Sequence, residues 1–558
     1  MTADKNNTTP HSTHEVFNQS TPFENGNLFR SNRALQDALK HHMPQLNTAE
    51  LDALGALMGS SEMIEHARLA NVHSPVLHTH DYYGHRIDQV EFHPSYHLLM
   101  SAALKHGLHA SPWERGPGSH MERAAGLMLF AETEAATLCP VSMTYAVIPA
   151  LRNNNTIYST WGPKLGATIY DSRFLPFNKK TALTMGMGMT EKQGGSDVRA
   201  NTTQASLDGY DAWGERWRIR GHKWFFSAPM CDAFLILAQT KKGLSCFFLP
   251  RFLPDGTLNS IEIQRLKHKL GNQANASSEV EFYNALAWLI GEEGRGIQQI
   301  LTMGTLTRLD CTLSTAGLMR QALSLTLHHT LQRHVFDKAL ISQPLMKNVL
   351  ADLALESEAA TALALRLAVA VDRSENGNDA YETIIRRLLT PVAKFWICKR
   401  GSHFTQETME CIGGNGYVEA AGKGVMARIY REMPLNSIWE GAGNIMALDL
   451  LRSLHSVRGK EALAAELSPA QGKHTKFDKA VNWVLQQVNN VPEEIQSRLL
   501  TRELALVWQA ALLFQQAPEE VFTAFCNSRL DQRSDVFGLL SKNIALDAIL
   551  QRAMPLYA

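Results

Sequence analysis

MGMGMTEKQGGSD at residues 185–197 and GHKWFFS at residues 221–227 read as two pieces of one wall around a flat ligand. The first piece is glycine-rich and carries Thr190, Ser196 and backbone N–H groups suited to ring carbonyls or phosphates. Adjacent Gly194 and Gly195 permit positive φ and close backbone approach. The second piece closes a basic strand with three aromatics and a hydroxyl, fit for stacking on a ring and bonding its edge. Alone, either piece is a turn or a length of core. Together, with strand-like text between them, they point to a binding wall.

The chain has 558 residues, enough for several domains with large cores. Hydrophobic residues at 45% and charged residues at 19% describe a globular protein rather than a disordered one. Lys+Arg and Asp+Glu are both 54, so the chain as a whole has no charge bias toward nucleic acid or membrane. Seven scattered cysteines without a Cys-x-x-Cys pair argue against a disulfide framework and against a zinc site. His328, His329 and His334 share one helix without a carboxylate or cysteine cluster, so no metal site is expected. There is no signal-like opening and no apolar run of membrane length; a cytoplasmic protein is expected.

The periodicities predict a mostly α, α+β chain in five parts. Residues 1–25 read as a flexible arm, and 26–183 as a helical domain broken at Pro94, Pro112 and Pro140. Residues 184–292 alternate in short runs between turns, as a small β-barrel or sandwich. Residues 293–455 return to helical spacing over long segments (297–336, 345–371, 380–412, 444–454), as a helical bundle. Residues 456–558 form an extra C-terminal helical domain, entered through a linker over 452–479. Arg216, Arg218 and Arg220 share one strand face, either a solvated face or an anion-contacting stripe. Within the first domain, residues 92–94 and 138–144 look specific enough to face the ligand pocket.

From about residue 90 to 455 the chain resembles the acyl-CoA dehydrogenase family. TEKQGGSD resembles that family's Thr-Glu-Pro-x-x-Gly-Ser-Asp signature, with Lys192 in place of proline, and Phe225, Phe226 and Ser227 stand where it has Trp-Ile-Thr against a flavin. NSIWEGAGN at 436–444 resembles its aromatic-Glu-Gly motif, in which the glutamate is the base. Oxidising an acyl thioester removes an α-proton while hydride leaves the β-carbon, and a carboxylate shut away from water is a suitable base. The resemblance therefore implies FAD as cofactor and Glu440 as catalytic base. It implies FAD contacts from Met187, Gly188, Met189, Thr190, Gly195, Ser196, Phe225, Phe226, Ser227, Ile438, Trp439, Gly441, Gly443 and Asn444. Arg333, Phe336 and Gln343 match the family's Arg-x-x-Phe-Gly-x-Gln stretch, with Asp337 in place of its glycine; Gly413 and Gly414 match its Gly-Gly-x-Gly loop. In the family these two elements reach the dinucleotide of a neighbouring subunit.

Ser196 and Arg308 are the implied substrate contacts, but Thr305 stands where the family has an aspartate beside the CoA chain. That departure points away from a conventional fatty acyl-CoA substrate, and the long tail with GMGMTEKQGGSD, HKWFFS and SIWEG together resembles most a branch of the family that acts in the response to DNA alkylation. The branch implies a homotetramer with weak activity on a small acyl-CoA (isovaleryl-CoA) and binding of double-stranded DNA. The alternative is a metabolic short- or branched-chain dehydrogenase without a DNA role. Residues 451–558 hold 12 Lys+Arg against 11 Asp+Glu, so any DNA contact depends on local sorting of charge, first at Lys473, Lys476 and Lys479.

Overall fold

A computed structural model describes residues 16–419, 424–454, 457–530 and 536–556. Most of the expected flexible arm, residues 1–15, lies outside the described residues. Residues 16–25, its remainder, are hydrogen-bonded to the C-terminal end of a long helix, Gly296–Gln332.

The first domain is helical as the periodicity predicts, with one unpredicted feature. Strands Val76–His80 and Arg86–Glu91 pair antiparallel as a hairpin. Its Asp81 side chain accepts from the N–H groups of Tyr83 and His85, and this side-chain turn takes the place of a Gly-rich signal. Arg86 fixes the hairpin to the β-domain through Glu262 and the Ile263 carbonyl. At the domain's boundary with the bundle, Arg123 and Asp310 form a buried bidentate pair, and Tyr145 covers the guanidinium at 3.5 Å. The pair joins helix Ser119–Thr133 to the start of the bundle.

The middle domain is one seven-stranded sheet in which five strands close into a ring, with Met185–Gly188 attached to Ala233–Thr240 and Ile261–Leu266 to Ser277–Ile290. Strand Ala233–Thr240 pairs with Gly243–Pro250 across a tight turn, and Gly243–Pro250 pairs with Ser277–Ile290. Ser277–Ile290 pairs with Gly214–Ser227, which pairs with Gln204–Asp211, which returns to Ala233–Thr240. The ring's inner face is packed with Phe226, Phe234, Phe247 and Phe282. Arg216 and Arg218 both bond the Asp208 carboxylate across the Gln204–Asp211 strand. The arginine stripe is thus largely neutralised within its own sheet.

The bundle is built on helices Gly296–Gln332, Pro344–Asn376 and Ala380–Ile412. The first ends four residues before the predicted limit. Residues 334–339 turn instead as a two-residue hairpin with Phe336 at φ +50° and Asp337 at φ +61°. Left-handed backbone at position 337 accounts for the glycine usual there, and aspartate tolerates it better than most residues.

The tail is helical: Val457–Leu467, Thr475–Asn489, Ser497–Gln516, Glu519–Arg529 and Leu546–Ala553. Most of the expected linker is therefore helix, because Ala462, Leu463, Leu467, Phe477 and Val481 bury against neighbours. The tail is bolted to the bundle by buried ions. Arg366 forks onto Glu466 and also reaches Glu382; Arg529 bonds Asp352 and Glu356, and Arg400 shares Glu356. The last helix returns to the start of the chain, where Arg320 bonds the carbonyls of Ala553 and Ser31. Among the described residues no helix is long and apolar enough to cross a membrane.

Candidate active site

The two quoted stretches meet. Strand Met185–Gly188 runs parallel to Ala233–Thr240, and the Trp224 N–H donates to the Thr190 carbonyl at 2.8 Å. Gly186 and Gly188 are required by packing: a Cβ on Gly186 lies 2.6 Å from the Phe234 ring, and one on Gly188 collides with Phe226. Met187 is partly buried between them, Met189 and Thr190 line the turn, and Gly195 closes on Thr190 Oγ1. Ser196 is exposed.

Below this loop sits a buried ion pair. Lys223 Nζ lies 2.7 Å from Glu191 Oε1, both side chains are fully buried, and Lys223 also donates to the Leu237 carbonyl. Glu191 accepts further from Thr202 and Thr203. Burial alone pushes the Glu191 carboxyl up, but Lys223 and the threonine donors outweigh it and hold the group down to about 2. The signature glutamate is a structural anchor that fixes the turn to the strand.

Strand Gly214–Ser227 carries a β-bulge between Lys223 and Phe226 against its partner Ser277–Ile290. The extra residue leaves Trp224 and Phe225 both outward, with Phe225 half exposed, before Phe226 returns to the core. Phe226 corrects the sequence reading: its ring is fully buried, 4.3 Å from Phe234, so its side chain supports the wall without facing a ligand. Lys267 lies 3.5 Å above the Trp224 ring and 4.7 Å above Phe225.

The opposite wall is the turn holding Trp439, Glu440 and Gly441. Glu440 has φ +60° and Gly441 φ +104°, a strained pair held by three cationic and polar groups. Lys394, 1% exposed, donates to the carbonyls of Trp439 at 2.8 Å and Gly441 at 2.6 Å. Arg308 Nε donates to the Glu440 carbonyl at 2.9 Å, and its NH1 pairs with Asp449. Thr307 Oγ1 donates to Glu440 Oε2 at 2.7 Å. Arg308 is thus occupied by the glutamate turn, while the Thr305 hydroxyl bonds the Leu301 carbonyl one helical turn back.

Cys139 connects the walls. Burial pushes its thiol up to about 11, with Lys269 and the neighbouring Ser227 hydroxyl opposing and the nearby Glu440 charge adding. Trp439 packs against the β-domain core that includes Cys139 and Met143. The segment 138–144 thus contributes Cys139 and Met143 to the core on which Trp439 packs. Ile438 is exposed beside Trp439.

A second group gathers at the far end of helix Gly296–Gln332. Arg333 caps that helix, Phe336 stands 91% exposed on the hairpin, and Gln343 Nε2 bonds the Val335 carbonyl. Gly413 has φ +75°, and Gly413 and Gly414 have open space where a Cβ would stand, leaving bare backbone available. Gly443 and Asn444 open helix Gly443–Ser453, where Arg498 of the tail bonds Asn444 Oδ1 at 2.6 Å and Lys399 crowds Gly443. His328 and His329 bond Thr21 and Ser20, which accounts for them without a metal. A separate cavity of about 540 Å³, lined by Met43, Pro117, Met121 and Arg373, includes no residue of either wall.

Sequence reading missed Thr307, Lys394 and Arg498. Lys394 did carry a signal, as a lone lysine inside the apolar run Pro-Val-Ala-Lys-Phe-Trp at 391–396. Thr307 and Arg498 carried none, since their partners lie over 50 residues away in sequence.

Three family models match consecutive parts of the chain. Residues 18–172 match the adaptive response protein AidB N-terminal domain, 186–285 the acyl-CoA dehydrogenase middle domain and 294–455 its C-terminal domain. The putative acyl-CoA dehydrogenase AidB of Escherichia coli K12 is 47% identical, over 97% of this chain and 98% of its own. The chain belongs to the acyl-CoA dehydrogenase family. It carries the AidB N-terminal domain of that oxidoreductase family. Acyl-CoA dehydrogenase family member 11 of Caenorhabditis elegans is 30% identical over 76% of this chain and 70% of its own. The crystal structure of C. elegans ACDH-11 with C11-CoA superposes with a TM-score of 0.83 at 26% identity, covering 96% of both chains. An FAD complex of a Bacillus anthracis acyl-CoA dehydrogenase shares the fold, with a TM-score of 0.62 at 17% identity and coverage of 82% and 81%.

The Glu191–Lys223 pair generates a stability prediction. Glu191→Gln leaves a buried ammonium without its counterion and should cost about 3–5 kcal/mol at pH 7. The folded-state carboxyl lies below its ordinary value of about 4.3. The pair's contribution is therefore complete above that pH and is lost as pH falls toward about 2. Denaturant unfolding should show the gap between variant and wild type narrowing below about pH 4; a gap independent of pH would place the charge effect elsewhere.

Proposed function

We propose that this chain is an FAD-dependent dehydrogenase of a small acyl-CoA with Glu440 as base, assembled as a homotetramer that also binds duplex DNA. The observation that carries the catalytic reading is the clamped glutamate turn. A carboxylate on a left-handed residue, fixed on both flanking carbonyls by Lys394, is built for one position. The residues fit the cofactor: outward aromatics and the Ser227 hydroxyl for a ring system, open glycine backbone at 413 and 414, and Arg333 as a forked phosphate ligand.

FAD, when bound, supplies the hydride acceptor. The chain's residues do the rest. Glu440 takes the α-proton at Oε1 or Oε2, and Thr307 orients the carboxylate by its hydrogen bond to Oε2. The Glu440 N–H polarises the thioester carbonyl, and Gly441 permits the turn to approach. Trp439 and the Cys139–Met143 face exclude water from one side. With Thr305 in the place of the family's aspartate, the CoA chain has one charge-assisted contact fewer, and turnover should be slow.

Exposed Phe336, Leu345 and Tyr417, at 91%, 84% and 77%, surround the Arg333 end and supply apolar surface for a second copy. That arrangement would carry Arg333 and the Gly413 loop to the neighbour's dinucleotide. Duplex binding rests on the resemblance to the alkylation-response branch and on charge in the tail. Lys473 and Lys479 are exposed around the start of helix Thr475–Asn489, and Lys476 is half-buried with Nζ on the Asn527 carbonyl. Four copies in a tetramer would turn a weak patch into useful avidity.

The purified protein should be yellow, and isovaleryl-CoA should bleach it slowly. Glu440→Gln should retain FAD and lose on the order of 10²–10⁴ in bleaching rate; an undiminished rate moves the base to another residue. For DNA, glutamine at 473, 476 and 479 together should weaken duplex affinity and flatten its salt dependence without releasing FAD. Unchanged binding in a gel-shift series across salt concentrations would reduce this segment to a solvated helix start.

A further inference from the structure

The segment before the first helix crosses both elements of the second site. Asn18 is its anchor. Its side-chain Nδ2 donates to the His334 carbonyl at 2.8 Å, and its Oδ1 accepts from the His334 N–H at 2.7 Å, so one amide pairs with one residue's backbone in both directions. Its own carbonyl accepts from Arg333 NH1. That backbone runs at φ +53°, a conformation asparagine adopts more readily than other side-chain-bearing residues. One residue on, Gln19 Oε1 accepts from Asn415 Nδ2 at 3.1 Å, in the Gly-Gly-Asn-Gly loop. Ser20 and Thr21 bond His329, His328 and Gln332 on the last turns of helix Gly296–Gln332. Asn18 and Gln19 thus bridge Arg333 to the 413–416 loop, which are close in space but over 80 residues apart in sequence.

Arginine on a surface hairpin normally samples many rotamers, and ordering it on ligand binding costs affinity. A neutral carbonyl on NH1 removes that freedom without cancelling the charge, and it leaves Nε and NH2 for a phosphate fork. A carboxylate in the same place would fix the side chain but neutralise it. The strap therefore has the chemistry of a support for an anion ligand rather than a competitor for it.

We propose that the 18–21 strap is a built-in part of the dinucleotide site, with Asn18 as the positioning residue that presets Arg333 for the FAD diphosphate. This rests on the reading above that Arg333 contacts FAD. The strap puts the start of the chain in control of cofactor retention, and, in an assembly where Arg333 serves a neighbour, in control of a neighbour's cofactor.

The test is FAD affinity of the full-length protein, stripped and titrated with FAD by flavin fluorescence, in a cycle of Asn18→Ala, Arg333→Ala and the double variant. Asn18→Ala should weaken FAD about tenfold, with the melting temperature of the stripped protein unchanged. In the Arg333→Ala background the same change should cost nothing further, because Asn18 acts through Arg333. Wild-type affinity in Asn18→Ala, or a loss that adds in full to that of Arg333→Ala, overturns the positioning role. If Arg333→Ala itself binds FAD like wild type, the underlying assignment of Arg333 fails and the strap proposal with it.

Discussion

One buried ammonium holds the Trp439–Gly441 turn in place. Lys394 is out of reach of water, and its compensation comes from two backbone carbonyls, those of Trp439 and Gly441, on either side of Glu440. A buried cation deprived of hydrogen bonds costs several kcal/mol, on the order given for other uncompensated buried charges. The lysine and the turn are therefore obligate partners. Left-handed backbone at a glutamate is unfavourable by itself, and it persists because Lys394 and Arg308 together over-determine the loop.

The facing wall repeats this device. Lys223, equally buried, bonds Glu191 under the glycine-rich turn and the Leu237 carbonyl in the next strand. Above it the bulge at Trp224 and Phe225 turns aromatic rings outward, while Phe226 closes the core over Gly188. Each side of the site thus rests on a lysine that water does not reach, one in the β-domain and one in the bundle. Cys139, from the first domain, touches Ser227 on one side and lies near Glu440 on the other, so all three domains meet at one point. The tail joins at the edge, through Arg498 on Asn444.

Much of this was legible in the chain itself. The alternating runs between residues 184 and 292 locate the closed sheet, and the long helical periods after 293 locate the bundle, because burial on one face imposes a period on the text. The glycine-rich turn, the GHKWFFS strand and the Trp-Glu-Gly turn were visible as motifs. What was not visible depends on partners distant in sequence. The outward Phe225 and inward Phe226 follow from a bulge whose extra residue exists only relative to the Ser277–Ile290 strand. The Val76–His80 hairpin hid behind a side-chain turn at Asp81. The segment at 452–479 read as a linker for its charge, although Leu463, Leu467, Phe477 and Val481 bury it. Arg308, matched to a substrate contact by its motif, is drawn to the Glu440 carbonyl and Asp449.

The position of Glu440, the proposed base, depends on Lys394, while cofactor binding does not. This dependence is tested most directly by single-turnover bleaching of bound flavin by isovaleryl-CoA in Lys394→Met, a variant that keeps the bulk and removes the ammonium. That variant should keep full FAD occupancy with a bleaching rate at least about tenfold below wild type, the loss expected for a base displaced from its near-attack position. Wild-type bleaching in that variant would show that the Trp439–Gly441 turn holds its geometry without Lys394.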